Sequence, residues 1–329
     1  MDTFRRYPLS LIIILLVPYF YVFHSLLFKK TTPEIRTVYD TLQPKLENTD
    51  VGRTLVLYVW ADTDIQAVGN LEFFIRYGVS ESQPADFYFI LQKVNKTPVN
   101  ESSLPRLPSN GHYLQHENEC YDFGTFGWFL GSNIVDLKIY KFFILMNASI
   151  RGPFFTSYFD SKNLWWFNIF TSRLNDVVKL VGPTINCEYE PHVQSYLLVT
   201  DHVGLSILSD NKTGVLSCKK DYNDAVMNGE IGASRLILNA SYQIASLQVK
   251  YQGVDFRRKE NAHCNSRISP IFFDGSVDGI SHDPFELVFV KYKGIPPFDS
   301  DLERRATVYQ RWLQEQEIHK RAAKAAKSV

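Results

Sequence analysis

Carboxylates, amides and one imidazole interrupt otherwise apolar stretches of this chain, and together they supply material for acid–base chemistry on a polar ligand. The first cluster is Asp62-Thr63-Asp64, whose paired carboxylates suit a divalent ion or a sugar hydroxyl. An acidic residue before a helix is equally an ordinary N-cap, and that reading stands beside the first. The second cluster runs from Asn118 through Asp122 to Gly124, and the third from Asn147-Ala148-Ser149 to Arg151-Gly152-Pro153. His192 and Gln194 follow, able to hydrogen-bond a ligand, although a histidine after Pro191 also serves structure alone. Last is Gly229-Glu230-Ile231-Gly232, where a carboxylate in a first helical turn is favoured electrostatically and is also well placed as a base.

Buried strands and amphipathic helices must position these groups. Residues 53–60 (RTLVLYVW) read as a buried strand, 65–79 (IQAVGNLEFFIRYGV) as an amphipathic helix stopping near Gly78, and 86–93 (DFYFILQK) as the next strand. Strand, helix, strand is the signature of a parallel α/β unit. Residues 94–110 read as an exposed loop, which SNGHYLQHENECYDFG continues into a short helix. The apolar run YKFFILM then stops at Asn147, so a buried strand delivers small polar groups to its carboxyl end, where open α/β sheets bind ligands. The alternative is a strand that simply enters a turn. The aromatic stretch 164–174 is a candidate cover for the site, 177–187 another strand, and 192–208 a strand or helix joined to an amphipathic element. Residues 229–240 carry helical spacing, IASLQVKY and ELVFVKY supply later strands, and 301–329 form a basic helical tail.

The whole chain sets the limits. With 329 residues, 45% hydrophobic and 14% aromatic, it can bury a large core, and 35 basic against 35 acidic residues leave no field to recruit nucleic acid. Residues 7–28 are almost uninterruptedly apolar; about 22 residues at about 1.5 Å each span a bilayer core of about 30 Å. An uncleaved signal anchor is expected there, since no small-residue cleavage pattern follows. The arrangement is then a cytoplasmic N-terminus at 1–6, the transmembrane helix at 7–28, a stem at 29–52, a lumenal domain at 53–300 and the tail. Arg5 and Arg6 balance Lys29 and Lys30, so charge does not fix orientation. The sequons at Asn95, Asn100, Asn147, Asn211 and Asn239 favour a lumenal domain, with Asn100 and Asn211 in the better acceptor contexts. The four cysteines, Cys120, Cys187, Cys218 and Cys264, lack a CxxC and so speak against a zinc cage; three disulfide pairings are open, as are free buried thiols.

The ordered series of Asn118, YDFG at 121–124, FILMNASIRGPF at 143–154, KLVGPTINC at 179–187, HVQSYLLVTD at 192–201 and GEIGASRLIL at 229–238 resembles a group of glycosyltransferase-like proteins of plants, algae, fungi and bacteria, related to the rhamnan synthesis F family. The resemblance covers about residues 56–293. It implies transfer of a hexosyl or deoxyhexosyl unit from a nucleotide sugar to a glycan or glycoprotein acceptor, on a mostly parallel central sheet flanked by helices, a GT-A-like fold. A type II anchor and stem suit a Golgi or ER membrane. Such folds usually place a D-x-D metal motif where this chain has Asn147-Ala148-Ser149, and neutral oxygens are poor ligands for a hard dication. Metal dependence is therefore in doubt, and diphosphate charge falls instead to Arg151 or to helix N-termini. Glu230 is the first candidate for the base and Asp122 the second, with Asp62, Asp64, Asn118, Asn147, Ser149, Arg151, His192 and Gln194 as substrate-binding candidates.

A second class of reading is a non-catalytic lumenal protein that keeps the fold and binds a glycan or scaffolds another enzyme. Hydrolases lack their signals here, with no G-x-S-x-G, no H-E-x-x-H and no P-loop.

Overall fold

The computed structural model describes residues 52–267, 274–293 and 301–326. The expected anchor and nearly all of the stem lie outside the described residues. Among those described, no helix is long and apolar enough to cross a membrane.

Chain order begins with β1 (Thr54–Ala61), α1 (Ile65–Gly78) and β2 (Ala85–Lys93), the parallel unit expected from the sequence. β1 is buried along almost its whole length, as a central parallel strand covered on both faces must be. Its period of two divides the side chains cleanly. Val56, Tyr58 and Trp60 enter one core cluster, while Leu55, Leu57 and Val59 enter the other.

β3 (Gly111–Glu117) follows, then α2 (Tyr121–Gly131), β4 (Phe142–Asn147) and the short β5 (Ile150–Arg151). β3 is absent from the sequence reading. It is an edge strand with no fully buried residue, so GHYLQHE carries no apolar run to reveal it. Next come β6 (Val178–Gly182), β7 (Ile185–Asn186), β8 (His192–Val193), β9 (Leu197–Asp201), α3 (His202–Leu208), α4 (Ile231–Asn239), β10 (Gln243–Ser246), β11 (Val290–Lys291) and α5 (Asp301–Ala326). The stretch 192–208, left open between strand and helix, contains both.

Seven strands form one mixed sheet in the order β10-β6-β9-β4-β1-β2-β3, flanked by helices. Every neighbouring pair is parallel except the two that involve β9. From β1 the chain moves outward through β2 and β3, then returns to place β4 on the other side of β1. That reversal opens a crevice beyond the carboxyl ends of β1 and β4. Because β9 runs the opposite way, its start lies at the end of β4, with Leu197 opposite Met146.

The aromatic stretch expected to cover the site does something else. Trp166, Phe167 and Phe170 are fully buried, and Trp166 packs 5.8 Å from Phe74 and 5.0 Å from Phe289, ring centre to ring centre. Each such ring contributes about 1.5–3 kcal/mol by leaving water, so apolar burial decides its place. IASLQVKY yields only the strand Gln243–Ser246 before a 3₁₀ turn, and ELVFVKY yields a helical turn at Pro284–Leu287 followed by the two-residue β11. The tail helix α5 packs in part against the core. Leu302 and Ala306 are buried, and Tyr309 meets Phe154 at 5.5 Å.

Candidate active site

The crevice at the sheet's reversal is a cleft of about 470 Å³, lined from several elements at once. The end of β1 brings Val59 and Ala61, the start of α1 brings Thr63 and Asp64, and the start of α2 brings Tyr121 and Asp122. Asn147, Ala148 and Ser149 close it from the end of β4, Ser195 from the segment before β9, and Glu230 from the turn entering α4. Lys291 and Lys293 complete the wall.

Asn147 organises the floor. Its amide Nδ2 donates to Asp122 Oδ2 at 2.7 Å, and its Oδ1 accepts from the Ser149 amide at 3.0 Å and from Ser149 Oγ at 2.6 Å. Strand β4 thus ends in an Asx turn that presents a carboxylate's partner rather than a free ligand. Burial pushes the Asp122 carboxyl above its usual range; the Asn147 hydrogen bond and Lys293 pull against that, while Glu230 reinforces it.

Asp122 is held in place by close packing behind it. Cys120 and Cys218 form a disulfide, and the loop it ties down lies hard against α2. A Cβ on Gly127 would fall 1.9 Å from the Leu216 carbonyl oxygen, so only glycine lets the helix approach so closely. The same loop leads through Tyr222–Asp224 into a π-helical turn, Ala225–Glu230, which carries Glu230 to the cleft. π-Turns are rare and recur at functional sites. One covalent tie therefore joins the supports of both candidate carboxylates.

Behind Glu230 stands His192, buried, with its Nε2 3.9 Å from Glu230 Oε1. Its Nδ1 lies 2.8 Å from the Glu190 carbonyl oxygen, which can only accept, so Nδ1 carries the hydrogen. Helix α4 braces this segment twice. Ser234 Oγ accepts from the Val193 amide, and Arg235 binds the Glu190 carboxylate through Nε and Nη2.

The sequence candidates divide accordingly. Asp64, Asn118, Asp122, Asn147, Ser149 and Glu230 converge on the cleft. Asp64 does so while capping α1, its Oδ1 accepting from the Gln66 and Ala67 amides at 2.9 Å each. Asp62 is exposed and lines an adjoining pocket with Trp60, Val68 and Pro98 instead. His192 reaches the site only through Glu230, and Gln194 turns away to accept from Thr184 Oγ1 at 3.1 Å. Arg151, expected to face the ligand's charge, is buried elsewhere. Its guanidinium donates to Asn70 Oδ1 and Gln310 Oε1 and lies 3.8 Å over the Tyr292 ring, tying α1 and α5 together.

The sequence reading missed Lys291 and Lys293. Their spacing was the available signal, since residues i and i+2 of an extended segment share a face. β11 pairs antiparallel with β5, setting Lys291 opposite Ile150, and the Tyr292 amide donates to the Ser149 carbonyl oxygen at 2.8 Å. The ladder fixes both lysines beside the Asx turn. Tyr121 and Tyr222, both exposed, form the rim.

The donors do not fit a hard dication. Asn147 Oδ1 is already taken by two hydrogen bonds, two ammonium groups share the cleft, and such ions take six or more oxygen ligands. Among the described residues no three His, Cys, Asp or Glu side chains gather as a metal cage.

No protein-family model and no curated protein matches the chain, so the resemblance to rhamnan synthesis F relatives is carried by its motifs alone. Two solved glycosyltransferases are similar in structure. The mannosyltransferase PcManGT from Pyrobaculum calidifontis, solved in complex with GDP-Man and Mn2+, matches at 10% identity and a TM-score of 0.36, over 60% of this chain and 55% of its own. Glycosyltransferase GlyE of Streptococcus pneumoniae TIGR4, in its apo form, matches at 9% identity and a TM-score of 0.34, over 60% of this chain and 46% of its own. The chain thus spans about half the length of each neighbour.

Proposed function

We propose that the cleft binds a nucleotide sugar and transfers its glycosyl unit to an acceptor hydroxyl. The observation that carries this reading is the meeting of two carboxyl groups, Asp122 and Glu230, with two lysines in one cleft at the reversal point of the sheet, where open α/β sheets take their ligands. Tyr121 and Tyr222 at the rim offer flat apolar faces on which a nucleobase or a sugar ring stacks.

In this mechanism the acceptor oxygen attacks the anomeric carbon, the bond from that carbon to the phosphate oxygen breaks, and the nucleotide (a diphosphate from UDP- or GDP-linked donors, a monophosphate from CMP-linked ones) leaves with the bonding electrons. Glu230 takes the acceptor's proton; the π-helical turn Ala225–Glu230 carries it to the cleft wall. Asp122 accepts from Asn147 and holds the floor. The apolar run at residues 7–28 and the downstream sequons support placing this transferase as a type II protein of the Golgi or ER membrane, acting on a glycan or glycoprotein.

The test is sugar transfer or donor hydrolysis by the purified full-length protein with UDP-, GDP- and CMP-linked sugars. Glu230→Gln lowers kcat by about 10²–10⁴-fold if Glu230 is the base. Full activity in that variant removes Glu230 from the role.

A further inference from the structure

The geometry points to Lys291 and Lys293 as the groups that take the diphosphate of the donor, in place of a divalent cation. This rests on the nucleotide-sugar reading above and adds the way the charge is met. A sugar diphosphate brings two negative charges to the cleft, and its departure as a nucleoside diphosphate develops another. A transferase that uses a metal sets carboxylates around the ion. Here the end of β4 is neutral and closed on itself, with Asn147 Oδ1 accepting twice from Ser149.

Positive charge reaches the same cleft from another direction. The β5–β11 ladder and the bond from the Tyr292 amide to Ser149 hold the Lys291–Lys293 segment against the turn. Both lysines line the cleft, and neither ammonium closes an ion pair within the fold among the described residues. Lys291 is half-buried and Lys293 exposed at the mouth, so the inner ammonium gains most from a ligand that supplies the counter-charge while the outer one stays free to reach it. Burial pulls the Lys291 ammonium below its ordinary range, whereas Glu230 and Asp122 hold it up, and an arriving diphosphate acts in that same direction. Lysine is a point-charge phosphate binder, so two of them tolerate the movement of charge from the bridging oxygen onto the leaving group.

The experiment is calorimetric titration of the full-length protein with UDP and GDP, in EDTA and again in Mn2+, with uridine and guanosine as uncharged probes. Dissociation constants agree within about twofold between EDTA and Mn2+ on this account. Lys291→Ala with Lys293→Ala weakens diphosphate binding by about tenfold to hundredfold, the loss expected for charge-assisted hydrogen bonds, and leaves nucleoside binding unchanged. Lys291→Arg with Lys293→Arg retains most of the affinity, and a melting curve on each variant excludes unfolding as the cause. Diphosphate binding that appears only with Mn2+ overturns the lysine assignment and leaves the transferase reading standing. Folded alanine variants that bind like the parent overturn it as well. Failure of both diphosphates to bind under either condition overturns the lysine assignment, and the transferase reading falls with it when none of the nucleotide sugars named above is transferred or hydrolysed.

Discussion

Removing the Cys120–Cys218 disulfide separates positioning from stability. The two cysteines are 98 residues apart, and closing a loop of that size stabilises the fold by about 4–5 kcal/mol in the chain-entropy account. Cys187–Cys264 closes one of 77 residues, which differs by only a few tenths of a kcal/mol. Replacing either pair by alanine therefore shifts the urea midpoint down by about 1.5 M, at a slope of about 3 kcal/mol/M. Their effects on the cleft differ. Cys120 precedes the first turn of α2, which carries Asp122, and Cys218 lies in the loop that leads to Glu230, whereas neither Cys187 nor Cys264 lines the cleft. Transfer or diphosphate binding measured well below each variant's melting temperature falls at least tenfold for Cys120/Cys218 and much less for Cys187/Cys264. Equal losses in the two pairs, or full activity without Cys120–Cys218, would refute the positioning argument.

Three more outcomes follow from the same geometry. Gly127→Ala, which sets a methyl group against the Leu216 carbonyl, destabilises by more than about 1 kcal/mol in urea titration, while Gly131→Ala, with open space around it, does not. Burial pushes the His282 imidazole down to about 4. The unfolded chain accepts the proton that the fold refuses, so stability is lost as pH falls from about 6.5 toward 4, by about 3 kcal/mol in all; His282→Gln flattens that slope in denaturation curves taken across the window. If the domain enters the secretory lumen, glycosidase treatment shifts its gel mobility and Asn211→Gln removes part of that shift, whereas Asn147→Gln leaves the shift as it was, because Asn147 is bound to Asp122 and Ser149 inside the cleft.

What could be read from the sequence follows what is strongly periodic. β1, α1, β2 and β4 carry long apolar patterns, and each forms close to where its pattern lies. The Asp64 cap was legible too, because an acidic residue before an amphipathic run is a common N-cap, and the same side chain also reaches the cleft as the ligand reading had it. β3 was not, because an edge strand with half-exposed residues has no apolar face to announce it. The stretch 164–174 misled for the opposite reason: aromatic residues suit a site cover and a core equally, and only the positions of Phe74 and Phe289 decide between them. Arg151 shows the same limit. Its charge fitted the ligand, but its partners Asn70 and Gln310 are 81 and 159 residues away in the chain. Disulfide pairing and the arrival of Lys291 and Lys293 beside Ser149 are likewise products of the folded topology.

The most direct test of the central claim is a structure of the full-length protein bound to a nucleotide sugar. The account predicts the diphosphate between Ser149 and the two lysines, with the anomeric carbon turned toward Glu230 and no metal ion bridging the phosphates. A nucleotide sugar seated instead in the open groove along β3, against Tyr88, Arg106 and His112, would contradict it.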